Sequence, residues 1–79
     1  MFSAGQGLRP LALVAPGEKV TLVDVRGGAG IKRRLTAIGL RLGSRVRLLH
    51  NTGRGPVLVM SGDMRLALGR GLAHRVWVR

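Results

Sequence analysis

Turn-forming residues interrupt this chain so often that neither a long helix nor a long strand can form, and that punctuation constrains the fold more than any other feature. Ala15-Pro16-Gly17-Glu18, Gly27-Gly28-Ala29-Gly30, Asn51-Thr52-Gly53-Arg54-Gly55-Pro56 and Ser61-Gly62-Asp63 are the breaks. The segments between them alternate as strands do. After the first break, Val20, Leu22 and Asp24 share one face, with Thr21, Val23 and Val25 on the other. In Ser44–Leu49, Val46 and Leu48 point inward while Arg45 and Arg47 point to solvent. Val57–Met60 is a short apolar strand that turns through Ser61-Gly62-Asp63 into Met64–Leu68, and Arg75–Val78 forms a last strand.

One stretch has a different period. Ile31, Leu35 and Ile38 recur at i, i+4 and i+7, a single apolar stripe, and Gly39 follows where a left-handed residue ends a helix. The spacing predicts a helix over Ile31–Ile38, with a second helical turn over Arg70–His74. Several short strands with one short helix inserted between them predict an all-β fold, a small β-barrel of the SH3-like kind. It forms a single domain over residues 1–79, with residues 1–10 a less ordered lead. Leu35, Val46, Leu48, Leu66 and Val76 are expected to share one core.

The core must be aliphatic, because Phe2 and Trp77 are the only aromatic residues in a chain that is 46% hydrophobic. Trp77, flanked by Val76 and Val78, reads as core or edge packing. With no cysteine, disulfides and thiolate metal sites are excluded and a reducing cytoplasm is the easier home. Met1–Val14 lacks the charged start, long apolar run and cleavage site of a secretory leader. No apolar run approaches the ~20 residues of a membrane span.

Charge narrows the function classes. Fourteen basic residues, twelve of them Arg, stand against three acidic ones, for a formal net charge of +11. Such a surface attracts nucleic acid, anionic headgroups or an acidic protein face, although a composition biased toward Arg codons would also produce it. The inventory argues against an enzyme. His50 and His74 are the only histidines, Glu18, Asp24 and Asp63 the only side-chain carboxylates, and no hydroxyl lies in a nucleophile motif. A metal centre fares little better, leaving His50 and His74 as weak candidates, and no cofactor is expected. Gly27–Gly30 leads into a helix whose expected first turn holds Lys32, Arg33 and Arg34, an arrangement that opposes the helix dipole and reads equally as a docking place for an anion or as a solvated face whose cost is screened by salt. The loop is neither a P-loop nor a dinucleotide fingerprint. Nucleic acid remains the rival partner, yet specific binding is not expected, because stacking platforms do not interleave with the cations.

Taken in order, Pro16-Gly17-Glu18, Gly27-Gly28, Arg34-Leu35 and Ile38-Gly39-Leu40-Arg41-Leu42-Gly43 resemble the signature of the ferrous iron transport protein A (FeoA) family. Val46, Gly55-Pro56-Val57, Leu66-Ala67-Leu68, Ala73 and Val76–Val78 continue the likeness, which spans Leu11 to Val78. The resemblance implies an SH3-like barrel and an accessory role in the cytoplasm, at the inner face of the membrane, for the FeoB-like GTPase transporter of Fe(II). The same fold is appended to iron-dependent repressors, which raises iron sensing as a further alternative. Gly28, Leu35, Gly39, Leu40, Gly43 and Pro56 are the motif residues expected to set the fold, and Lys32, Arg33, Arg34 and Arg41 the candidate partner contacts. Leu42 stands where the family turn usually has Pro, which is expected to loosen that turn.

The helix stripe carries a direct test. Replacing Leu35 by Ala should cost about 2–5 kcal/mol, measured as a shift in the denaturant midpoint; an unchanged midpoint would mean that the stripe is misplaced.

Overall fold

The computed structural model describes residues 7–79. Six strands form one antiparallel sheet: β1 (Arg9–Pro10), β2 (Lys19–Val25), β3 (Arg45–His50), β4 (Val57–Ser61), β5 (Met64–Leu68) and β6 (Val76–Val78). Two helices, α1 (Ala29–Ala37) and α2 (Arg70–Arg75), and a 3-10 turn at Leu11–Leu13 complete the chain. The strand order is β1-β6-β2-β3-β4-β5. This is the expected architecture of short strands with a helix inserted after the first long one.

Curvature comes from β2, which changes partner along its length. Lys19, Val20 and Thr21 pair with Arg47, Val46 and Arg45 of β3, whereas Leu22, Asp24 and Val25 pair with Val78, Trp77 and Val76 of β6. A bulge lies between Leu22 and Asp24. A bulge adds one residue to one strand, so side chains beyond it switch faces. Strict alternation put Asp24 with Val20 and Leu22; instead Asp24 is exposed and Val25 joins the core.

The core runs through the whole described chain. Leu35, Val46, Leu48 and Val76 are all buried, as expected. Leu66 is only half-buried, because β5 has a single strand neighbour and lies at the edge of the sheet; Leu68 takes the fully buried place. Leu11 and Val14, given no role by the sequence pattern, are completely buried. Of the lead expected over residues 1–10, residues 1–6 lie outside the described residues. At its end Arg9 and Pro10 form a strand against Val78 and Trp77. Pro10 suits an edge strand, where a missing N–H leaves no ladder partner wanting.

Helix α1 starts two residues earlier than expected and ends as the glycine signal indicated. Gly39 has φ +98°, its N–H donates to Thr36 O at 3.0 Å, and Leu40 N–H donates to Leu35 O at 2.9 Å. Those two bonds are a Schellman ending, in which the residue after the glycine packs against the last turn. Leu40 and Leu35, each 1% exposed, are that contact. In the glycine run, the position that demands glycine is Gly27 rather than Gly28. Gly27 has φ +132°, and a Cβ there would stand 2.8 Å from Ile31 Cγ1, while Gly28 has extended backbone and open space around it.

Two polar devices hold the chain ends. Arg9 Nη1 donates to Glu18 Oε2 at 3.1 Å, and Ala15 N–H donates to the same oxygen at 2.7 Å. The Arg9 guanidinium first, then this amide, holds the Glu18 carboxyl below its ordinary range. The clasp is therefore in place above that range and is lost as pH falls through the lowered value. The second device is Asn51. Its Nδ2 donates to both Ala12 O and Val14 O at 2.8 Å, while its Oδ1 accepts from Arg70 Nη2 at 2.8 Å and from Gly53 N–H at 3.2 Å. Arg70 also donates to Gly55 O at 2.9 Å and to Ala12 O at 3.3 Å.

Removing that amide leaves the Val14 carbonyl without its donor, Ala12 O with Arg70 alone and Arg70 Nη2 without its acceptor, so Asn51→Ala should destabilise the fold by about 1–3 kcal/mol. Chemical denaturation checks it, and a loss near zero would show that water replaces the amide at no cost.

Candidate functional site

The candidate contact residues lie on α1 and on the turn that follows it. Because α1 begins at Ala29, its first turn is Ala29–Lys32, Arg33 falls beyond that turn, and Arg34 lies in the last one. The expected cluster of three cations at the helix N-terminus is thus not formed. Arg34 sits near the carbonyl end, where the helix dipole favours a positive charge rather than opposing it. Lys32, Arg33, Arg34 and Arg41 are all exposed, but the fold brings only Lys32 and Arg41 together.

They meet across a hollow of ≈ 130 Å³ lined by Val25, Lys32, Leu35, Thr36, Leu40, Arg41 and Leu42. Lys32 and Thr36 are one helical turn apart, so they share the face that overlooks it. The Schellman ending reverses the chain and brings buried Leu40 and exposed Arg41 into the same lining. A tight turn then follows. Ser44 N–H donates to Arg41 O at 2.9 Å, Arg41 N–H donates to Ser44 Oγ at 3.1 Å, and Gly43 has φ +93°. Gly43 occupies the position of a type II turn that needs positive φ, and Leu42 the position before it, where Pro is favoured. The turn is closed in spite of Leu42, because Gly43 N–H also donates to Leu22 O at 2.8 Å and ties it to β2. Leu42 is 46% exposed at the rim.

The hollow is electropositive. No carboxylate lines it. Among the described residues the ion pairs are Arg9–Glu18 and Arg26–Asp24, so neither Lys32 nor Arg41 has an acidic partner within 4 Å. Sequence reasoning named Leu40 for the fold and Lys32 and Arg41 for contact, but missed Val25, Thr36 and Leu42 as lining. The readable signal was Leu42, an apolar residue at a turn position exposed by its geometry.

Elsewhere the chemistry is sparse. His50 ends β3, His74 lies on α2, and both are exposed. Among the described residues no three of His, Asp and Glu gather where they could hold a metal ion. Pro56 is exposed just before β4, where its fixed φ sets the start of that strand. Trp77 is neither core nor edge filling. Val76 and Val78 are buried, so alternation turns Trp77 to the outer face of the sheet, half-exposed, with the Arg26 guanidinium 4.1 Å from its ring centroid.

Residues 9–79 match the family described as the FeoA domain. The chain is 35% identical over 69 residues to a Methanocaldococcus jannaschii protein named "Putative Fe(2+) transport protein A", covering 87% of this chain and 83% of that one. It is similar to the crystal structure of an iron uptake regulatory protein, FeoA, with a TM-score of 0.82 and 36% identity over 91% of this chain and 95% of the other. A manganese-dependent transcriptional repressor in complex with manganese gives a TM-score of 0.82 and 26% identity, over 91% of this chain but 36% of the repressor. The fold is thus the SH3-like one found both alone and as part of a longer regulator.

The turn supplies a test. Leu42→Pro should be accommodated and should stabilise the protein by about 0.4–1 kcal/mol through the unfolded chain. A lowered thermal midpoint would show that the backbone at Leu42 is not that of a type II turn.

Proposed function

This chain belongs to the FeoA family, a family of small proteins of ferrous iron transport, and from that premise we propose that it is a non-catalytic accessory protein of Fe(II) uptake. It acts in the cytoplasm, at the inner face of the membrane, by binding the cytoplasmic part of a FeoB-like GTPase transporter. Among the described residues no helix is long and apolar enough to cross a membrane; in this reading the partner, or an anionic surface, holds the protein there. The observation that carries the reading is the pair Lys32 and Arg41, exposed and unpaired by any carboxylate, lining one hollow with an apolar floor. Apolar anchor positions with a charged rim are what protein recognition uses, the rim steering encounter and the floor supplying affinity. An enzymatic reading has no support in the site, whose polar groups are one hydroxyl and two cations.

The nucleic-acid alternative draws less support. A strand-binding protein lays bases on exposed aromatic rings, and Trp77 already has a guanidinium over its ring. The iron-sensing alternative would need ligands that converge, whereas His50 and His74 sit on a strand and a helix outside any cluster.

Binding of the purified cytoplasmic part of the transporter, followed by calorimetry, tests the proposal. The double variant Lys32→Glu/Arg41→Glu should bind at least about tenfold more weakly and with a reduced salt dependence, while its circular dichroism stays that of the parent. Arg33→Glu should change little, since Arg33 does not line the hollow. Failure of the parent protein to bind would overturn the function, and equal binding by the double variant would overturn the surface.

A further inference from the structure

We propose that the hollow beside α1 is a socket for one aliphatic side chain of an acidic protein segment, with Lys32 and Arg41 pairing with carboxylates on either side of that anchor. The inference rests on the reading that this chain works by binding a protein, and adds the chemistry of what is bound.

The floor is built from side chains that the fold cannot move. Leu35 and Leu40 are 1% exposed and Val25 is 8% exposed, fixed by the Schellman contact and by the β2 bulge. A volume of ≈ 130 Å³ is close to that of apolar cavities of about 150 Å³ that hold a benzene-sized group, so it suits a branched aliphatic side chain. The hollow also continues. A more open depression of ≈ 260 Å³ lined by Thr36, Gly39, Leu40 and Arg41 adjoins it at the end of α1. Gly39, lacking a side chain, keeps that passage open, and Met64 lies beyond, its Cε 3.9 Å from where a Gly39 Cβ would stand. Leu42 and Met64 are 46% and 56% exposed, two of the three large hydrophobic residues most exposed on the described surface. A trough bordered by two exposed apolar side chains fits a segment with more than one apolar residue, not an isolated small molecule.

Charge selects the rest of the occupant. No carboxylate lines either depression, both rim cations lack an acidic neighbour, and the chain carries a net +11. A basic segment would meet repulsion and a neutral one would leave both rim cations unpaired, whereas an acidic one gains two charge-assisted contacts around a dry anchor. A second copy of this chain does not qualify. It brings the same net charge, and two of its three carboxylates, Glu18 and Asp24, already stand beside Arg9 and Arg26.

The probe is a short amphipathic peptide with Leu at helical spacing and Glu at the positions between. Methyl resonances of the full chain are followed by nuclear magnetic resonance during titration. Val25, Leu35, Leu40 and Leu42 should shift, and changing the peptide's Leu residues to Ala should weaken binding at least about tenfold. Thr36→Trp fills the socket from an exposed helix position, and Leu42→Asp puts a like charge on its rim; each should abolish the peptide's effect while the remaining resonances stay in place. Equal binding of the Ala peptide, shifts centred on another face, or displacement of the peptide by a thymidine oligonucleotide or by phosphatidylglycerol vesicles at physiological salt would overturn the socket. The same variants separate the two proposals. A peptide that seats in the hollow, while the transporter's cytoplasmic part does not bind the parent protein, upholds the socket and removes that partner. Transporter binding that Thr36→Trp leaves untouched removes the socket and spares the partner.

Discussion

Closure of this small barrel depends on a side-chain amide. The outer strands β1 and β5 share no ladder, and the 3-10 turn and α2 pack on each other and against the β1–β6 side of the sheet. Leu11 and Val14, both fully buried, anchor that packing, but their segment carries the carbonyls of Ala12 and Val14, which no strand partner satisfies. Asn51 donates to both while accepting from Arg70, and Arg70 reaches back to Ala12. Asparagine is suited to this because one short side chain carries two donors and an acceptor; aspartate would turn acceptors toward the carbonyls, and lysine or arginine would offer nothing to Arg70. The end of β3, the chain start, the following loop and α2 are thus one unit, although Asn51 and Ala12 lie 39 residues apart and Arg70 and Ala12 lie 58 apart.

That separation explains why part of the fold was legible in the sequence and part was not. β3 could be read because each inward Val or Leu is preceded by an outward Arg, leaving only one register that buries carbon and hydrates charge. The helix could be read because a period of 3.6 and a following glycine agree. Leu11–Val14 has neither period, and its place in the core depends on a hydrogen-bond partner half a chain away. Val25 was misplaced because a bulge leaves no mark in composition. In a run such as Gly27-Gly28-Ala29-Gly30 any of the glycines can take positive φ, and what decides is Ile31 lying over Gly27.

The contact residues show how a small error in a boundary reverses an electrostatic inference. Starting α1 at Ile31 puts three cations against the positive end of the helix dipole and asks for an anion to offset them. Starting it at Ala29 moves Arg34 to the favourable end and leaves no unexplained strain. The opposition of Lys32 and Arg41 could not be seen along the sequence at all. It is made by the reversal at Gly39, which turns a spacing of nine positions into two sides of one hollow.

The same reversal separates stability from recognition. Leu35 and Leu40 belong to both, since their contact ends the helix and also forms the floor on which a guest side chain would lie. In the proposed socket the side chains of Lys32, Thr36, Arg41 and Leu42 would serve recognition, since each of these residues is exposed and outside the buried core. The residues by which the chain resembles its family, Gly39, Leu40 and Gly43, are those of the first kind, set by backbone angles and burial. A module of this construction can change its rim, and with it the charge and shape of what it accepts, while the turn that builds the socket stays as it is. In the proposed socket the fold supplies the depth of the hollow, and Lys32 and Arg41 supply the sign of its rim.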